Sequence, residues 1–264
     1  MELKLEGKRA LVSGSTAGIG WAIAAGLAGE GAEVVVNGRT QARVDAAVGA
    51  IGDRHPGARV RGVAADLGTA EGCARMGKEV PEVDVLVNNL GIFEVKPFAD
   101  ISDAEWTRFF EVNVLSGVRL CRTYLPAMLA RNWGRILFIS SESALQIPVE
   151  MIHYGMTKTA QLAVARGLAE ATAGTGITVN SILAGPTRSE GVGQFLESMA
   201  AQQGVSAAEV EREFFRNARP TSLIRRFATP EEVAAFTVFV ASGPASAVTG
   251  ASLRVDGGVV RAIV

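Results

Sequence analysis

A chain of 264 residues that is 48% apolar and 20% charged can bury one substantial core and leaves little for long disordered tails. Its net charge of −1, with acids and bases interspersed, excludes binding to nucleic acid through a concentrated basic face. No stretch approaches the roughly 18 unbroken apolar residues of a membrane span. The opening MELKLEGKRALVSG is too polar and too quickly strand-like for a signal peptide. Cys73 and Cys121 stand without CxxC spacing or a matching histidine pair, so neither a disulfide framework nor a metal site is indicated, and a reducing cytoplasm is the default compartment.

In chain order, short runs rich in Val, Ile and Leu alternate with longer helical patterns. The predicted strands are ALVSG (10–14), EVVVN (33–37), VRGVAAD (60–66), VDVLVNN (83–89), GRILFIS (134–140), ITVNSIL (177–183) and SLRVD (252–256). They do not alternate with polar residues, which is the pattern of strands covered on both faces. Helices are predicted over 19–31, 40–51, 103–129, 154–172 and 229–241. The last opens on Thr229-Pro230-Glu231-Glu232, a capping hydroxyl, a first-turn proline and early acids. Strands separated by helices predict an α/β, single-domain, doubly wound (Rossmann) fold with a seven-stranded, mostly parallel sheet flanked by helices. No linker divides residues 1–264. Residues 184–220 break the pattern with short amphipathic helices at the carboxyl edge of the sheet, and are expected to form a substrate lid.

Directly after the first strand comes Ser13-Gly14-Ser15-Thr16-Ala17-Gly18-Ile19-Gly20. Glycines at 14, 18 and 20 allow a tight turn and let a pyrophosphate approach the free N–H groups at the start of the first helix. The spacing is GxxxGxG rather than GxGxxG. The second strand ends Asn37-Gly38-Arg39, with no acid to hold a ribose 2′-hydroxyl and with a planar cation suited to a 2′-phosphate. NADP(H) is therefore preferred, with NAD(H) possible. Asp66, closing the third strand ahead of Leu67, is placed either to accept from an adenine amine or to cap a helix.

The stretch Tyr154-Gly155-Met156-Thr157-Lys158 sets a phenol and an ammonium at i and i+4 on one helical face. A phenol is a poor base near neutrality, and a nearby ammonium favours its phenolate. Ser141, at the end of the fifth strand, can hydrogen-bond a substrate oxygen as charge develops. Tyr124, the second of two tyrosines, lies in an apolar helical pattern without a lysine at i+4 and reads as core or interface.

These motifs, with Asn88-Asn89-Leu90-Gly91 after the fourth strand, Asn113, and Val248-Thr249-Gly250 and Val255-Asp256-Gly257-Gly258 near the end, resemble the single-domain branch of the short-chain dehydrogenase/reductase family, nearest in pattern to 3-oxoacyl-carrier-protein reductases. The resemblance runs from about residue 5 to 258. It implies an oxidoreductase in which Tyr154 is the general acid/base, Ser141 orients the carbonyl, Lys158 holds the nicotinamide ribose and Asn113 supports a water-linked proton relay. It places Gly14, Ser15, Thr16, Gly18, Ile19, Gly20, Arg39, Asp66, Leu67, Asn89, Gly91, Tyr154, Lys158, Gly185, Thr187 and Ser189 along the cofactor. It also implies a small-molecule carbonyl or alcohol substrate and a homotetramer joined through the helices carrying Asn113 and Tyr154, with the apolar residues 258–264 near the interface. Leu90, Ala184 and Ser13 depart from the family's customary alanine, proline and threonine.

Two further readings are a catalytically silent dinucleotide-binding or redox-sensing module, which has no need of the Asn113, Ser141, Tyr154 and Lys158 set, and the longer epimerase relatives, which resemble a different glycine spacing. Glu142, Glu150 and His153 fall where family members vary with substrate; His153 reads either as a substrate contact or as a partly exposed helix-start residue. Arg188, Arg225 and Arg226 read as a solvated face or as contacts to an anionic substrate. Phe195, Leu196, Met199, Phe214 and Phe215 suit an apolar lining or plain helix packing equally.

Overall fold

Seven strands, β1 (Arg9–Val12), β2 (Glu33–Gly38), β3 (Val60–Ala64), β4 (Val85–Asn88), β5 (Gly134–Ser141), β6 (Ile177–Ala184) and β7 (Ser252–Val255), form one sheet in the order 3-2-1-4-5-6-7. The computed structural model describes residues 1–263, with the backbone alone at 190, 191, 194 and 195. Every neighbouring pair is parallel, so the expected mostly parallel sheet is parallel throughout the described strands. Each predicted strand forms, with ends shifted by up to two residues.

Alternate residues of each strand feed opposite layers. Val12, Val34, Val36, Val87 and Ile139 pack beneath α1 (Gly18–Gly29), α2 (Gln41–Arg54) and α9 (Pro230–Val240). Leu11, Val35, Leu86, Ile136 and Phe138 pack beneath α3 (Ala70–Glu79), α5 (Ser116–Ala130) and α6 (Ile152–Ala171). Tyr124 is fully buried in this second layer, its hydroxyl without a hydrogen-bond partner among the described residues and its phenol pushed up by burial. It is a core residue.

From β1 the chain runs outward through β2 and β3, then returns across β1 to β4 and onward. The reversal opens a crevice at the carboxyl ends of β1 and β4. The helix predicted over 103–129 is not continuous. It is α4 (Asp103–Phe110), a π turn over Glu111–Leu115, and α5. The wider turn leaves the Asn113 carbonyl to accept the Gln161 side-chain amide at 2.6 Å, a placement an unbroken α-helix would not provide.

After β6 come α7 (Glu190–Gln203) and α8 (Ala207–Asn217), the latter opened by a reciprocal Ser206–Glu209 capping box. Leu196, Val210, Phe215 and Phe227, with Met199 and Phe214 against them, make a separate small core in which the three phenylalanine rings stand 5.0 Å apart. Helix packing therefore accounts for these apolar residues; the Phe195 side chain lies outside the described residues. No described helix is long and apolar enough to cross a membrane. At the end of the chain Val259 is buried and Ile263 exposed, while Val264 lies outside the described residues.

Candidate active site

The turn after β1 is held from both sides. Asn37, buried at the end of β2, accepts from the Gly14 N–H at 3.1 Å and donates to the Val63 and Ala65 carbonyls at 3.2 and 3.0 Å. Asn89 donates its amide to the Ser13 and Gly14 carbonyls at 3.0 and 2.9 Å, and the Ser13 hydroxyl accepts from the Asn89 and Leu90 N–H groups. Gly14 and Gly18 sit at positive φ (59° and 57°), which favours glycine. A Cβ at Gly20 would fall 2.4 Å from both the Asn89 amide nitrogen and the Gly14 carbonyl oxygen. The α1 N-terminus has no side-chain cap and no acid in its first turn. Free N–H groups beside a bare glycine cradle fit a pyrophosphate.

The Ser15 side chain faces into the protein. It is fully buried, its hydroxyl donating to the Val12 carbonyl at 2.7 Å and accepting from the Asn37 N–H at 2.9 Å, so it shapes the turn from within. Leu67 is likewise buried in the second core layer. Asp66 is exposed and accepts from the Gly68 N–H at 3.0 Å, while the cap of α3 is Thr69. Arg39 is exposed beyond β2. Arg43, four residues on, lines a cavity of about 360 Å³ with Thr16, Ala17, Gly18 and Trp21; only its spacing from Arg39 hinted at it.

Across the crevice lies the second half of the site. Lys158 is buried, and its ammonium donates to the Ile139 carbonyl at 2.9 Å and to Gln161 Oε1 at 3.3 Å. No carboxylate pairs with it among the described residues, and burial lowers its pKa to about 8. Gln161 in turn donates to the Asn113 carbonyl. The Asn113 side chain is held at both ends, accepting from the Ile92 N–H at 2.8 Å and donating to the Ile92 carbonyl and the Thr157 hydroxyl at 3.0 and 2.9 Å. A Cβ at Gly91 would touch Lys158 Nζ at 3.4 Å and Asn113 Oδ1 at 3.5 Å, so these three residues meet.

Tyr154, one turn before Lys158 on α6, is half-buried, with Phe93 edge-on to its ring at 6.3 Å between centroids. Burial pushes the phenol above its ordinary range; a hydrogen bond with Ser141 works against this, Glu142 adds to it and Arg219 opposes it. The Lys158 ammonium stands 5.6 Å from the ring centroid and is turned toward the Ile139 carbonyl. Ser141, Glu142 and Arg219 also lie close enough to act on the phenol, beside the Lys158 ammonium. The Ser141 hydroxyl donates to Glu142, whose other oxygen accepts from Arg219 Nε at 3.0 Å. Arg219 had no local signal in the sequence, being 77 residues from its partner.

Gly185 packs against Asp256, where a Cβ would fall 2.5 Å from the carbonyl oxygen, and Thr187 donates to the Gly185 carbonyl at 2.9 Å. Ser189 opens α7 with its Cβ 3.4 Å from the Cβ position of Gly18, so this segment reaches the phosphate turn. Arg188 pairs with Glu211, and Arg226 with Glu232 at 2.7 and 2.8 Å, so both engage the protein's own acids.

A family model described as enoyl-(acyl carrier protein) reductase matches residues 14–260. The oxidoreductase YvaG of Bacillus subtilis is 49% identical over 263 residues, covering 100% of both chains. The chain belongs to the short-chain dehydrogenase/reductase family. It is similar to the 3-oxoacyl-[acyl-carrier-protein] reductase FabG of Aquifex aeolicus, 32% identical over 98% of this chain and 99% of that one. Among solved structures it is similar to the L-sorbose reductase of Gluconobacter frateurii in complex with NADPH and L-sorbose, at 31% identity, a TM-score of 0.93 and full coverage of both chains. The protein is an NAD(P)-dependent oxidoreductase of CH–OH and C=O groups. Of its departures from the family pattern, Leu90 lies with its Cδ1 3.4 Å from the Cβ position of Gly14, filling space beside the turn.

His153 matches neither reading of it. It is 0% exposed, both ring nitrogens lack partners among the described residues, and Phe109 and Trp106 pack on it at 4.0 and 6.0 Å. Burial lowers its pKa, Glu94 and Glu105 oppose this, and Lys96 adds to it. Because the folded value lies below the unfolded one, the neutral ring's contribution to stability is present above the unfolded pKa of about 6.5 and is lost as pH falls through the folded value. Urea midpoints measured between pH 7.5 and 5 are expected to fall more steeply for the wild type than for His153→Phe; equal slopes would show that this ring does not titrate on unfolding.

Proposed function

We propose that the protein moves hydride between NADP(H) and a carbonyl/alcohol pair, with Tyr154 as general acid/base. The observation that carries this reading is the meeting of the Ser141 hydroxyl and the Tyr154 phenol at the carboxyl end of β5, one helical turn from the buried Lys158. Nicotinamide supplies the hydride when bound. Ser141 turns its hydrogen from Glu142 to the substrate oxygen, and Tyr154 gives that oxygen a proton as negative charge develops. A phenol raised by burial is fully protonated near neutrality, the form needed for reduction.

Lys158 holds the ribose and keeps a positive charge behind the phenol. Gln161 and the Asn113 carbonyl line the route by which a proton is returned, with Gln161 occupying the carbonyl that a relay water would use. Gly14, Gly18, Ile19 and Gly20 with Thr16 receive the pyrophosphate, and Arg39, assisted by Arg43 across the neighbouring cavity, receives the 2′-phosphate. Residues 1–264 act as one catalytic domain in which 184–220 is the substrate lid; Ser189 beside Gly18 supports this. We further infer a cytoplasmic homotetramer joined through α4, α5 and α6, supported by exposed Phe110 and Leu129 on those helices. The substrate is a small carbonyl or alcohol, and a panel of sugars, hydroxy acids and acyl ketones followed by nicotinamide absorbance identifies it.

Tyr154→Phe is expected to bind NADPH normally and to lose turnover roughly a thousandfold; near-normal turnover would remove the phenol from the chemistry. Arg39→Asp is expected to lower the NADP/NAD ratio of kcat/KM by roughly tenfold or more. An unchanged ratio would assign the 2′ position to another group.

A further inference from the structure

Glu142 and Arg219 form a buried ion pair, 4% and 8% exposed, that no part of the proposed chemistry uses. Their hydrogen bonds run in one direction. A carboxylate paired with a guanidinium only accepts, and one Glu142 oxygen takes the Ser141 hydroxyl, the Ser143 N–H at 2.9 Å and the Ser143 hydroxyl at 3.2 Å. The other takes Arg219 Nε. Ser141 thus places its only hydrogen on Glu142, so whatever turns that carboxylate turns the serine hydroxyl beside Tyr154.

Arg219 is anchored where α8 ends, its N–H bonded to the Phe214 carbonyl at 3.0 Å and its guanidinium 5.9 Å from the Phe214 ring. Phe214 belongs to the small core of the segment between β6 and α9. Arg219 Nη1 bonds the Ala218 carbonyl at 2.9 Å and reaches Glu150 at 3.5 Å. A continuous set of contacts thus leads from that core through Arg219 and Glu142 to the Ser141 hydroxyl.

Resting on the reading of Ser141 and Tyr154 given above, we propose that Arg219 and Glu142 are a positioning pair: the segment carrying α7 and α8 sets the direction of the Ser141 hydroxyl, and through it the phenol. The charged groups around that phenol are Glu142 after β5, Lys158 on α6 and Arg219 after α8, with Glu150 before α6 reaching Arg219; Phe93, after β4, is apolar. Glu142 disfavours phenolate and Arg219 favours it, so removing one or the other has opposite consequences. That sign reports the two charges; the positioning is read from a variant that keeps both charges and moves only the carboxylate.

With only two tyrosines in the chain, carbon-13 at the phenolic carbon gives two resonances, and Tyr154→Phe assigns them. Relative to the wild type, the Tyr154 titration is expected to begin about one pH unit lower in Glu142→Gln and about one unit higher in Arg219→Met. Each of these leaves a buried charge unpaired, so Glu142→Asp is measured beside them. It keeps the ion pair but withdraws the carboxylate from Ser141, and kcat for the best compound of the panel is expected to fall about tenfold with KM little changed. Titrations that stay put or move together, or an unchanged kcat in Glu142→Asp, overturn the proposal while Tyr154→Phe remains inactive. Normal turnover in Tyr154→Phe overturns the reading of the phenol itself, and this proposal with it.

Discussion

A buried ammonium with no carboxylate beside it must be satisfied by whatever acceptors the fold brings within reach, and at Lys158 these are the Ile139 carbonyl and Gln161. Gln161 is fixed in turn by the Asn113 carbonyl, which the π turn between α4 and α5 leaves to it. The Asn113 side chain then closes on Ile92 and Thr157. One uncompensated charge thus ties together the end of β5, the loop after β4, the π turn and α6. The burial that lowers the Lys158 pKa also raises that of Tyr154 one turn away, so two groups with nearly equal ordinary values are driven apart in pH.

The sheet order supplies the other half of the arrangement. With β1 beside β4, the amide of Asn89 can reach the glycine turn after β1, and that turn in turn requires a bare Gly20. The phosphate end and the reacting end of the groove are therefore built on neighbouring central strands of a sheet with helices on both faces. Residues 184–220 touch both ends, through Ser189 at Gly18 and Arg219 at Glu142. A segment with its own small core can move as a unit, which makes it suited to joining the state of the groove to the state of the serine.

Local pattern made most of the frame legible. Apolar runs of four to seven residues marked all seven strands, GxxxGxG marked the turn, and i, i+4 spacing put Tyr154 and Lys158 on one face. What stayed hidden depends on contacts between residues distant in sequence. Gln161 and Asn113 lie 48 positions apart and Arg219 and Glu142 lie 77 apart, and no periodicity links either pair. The π turn adds no residue pattern of its own, so 103–129 looked like one helix. Ser15 and Leu67 sit at positions facing the groove, yet their side chains turn inward, because backbone placement does not fix side-chain direction. His153 is polar by type and buried by position, which composition cannot show.

Lys158 carries its charge in the protein interior, held among the described residues by neutral acceptors alone. Nitrogen-15 NMR of the lysine side chains, with the Lys158 resonance assigned by its loss in Lys158→Met, reads this directly in the cofactor-free protein. A midpoint near pH 8 is expected. Titration at the ordinary lysine value of 10.5 would place that ammonium in water or beside an acid, and would contradict the organisation of the site described above.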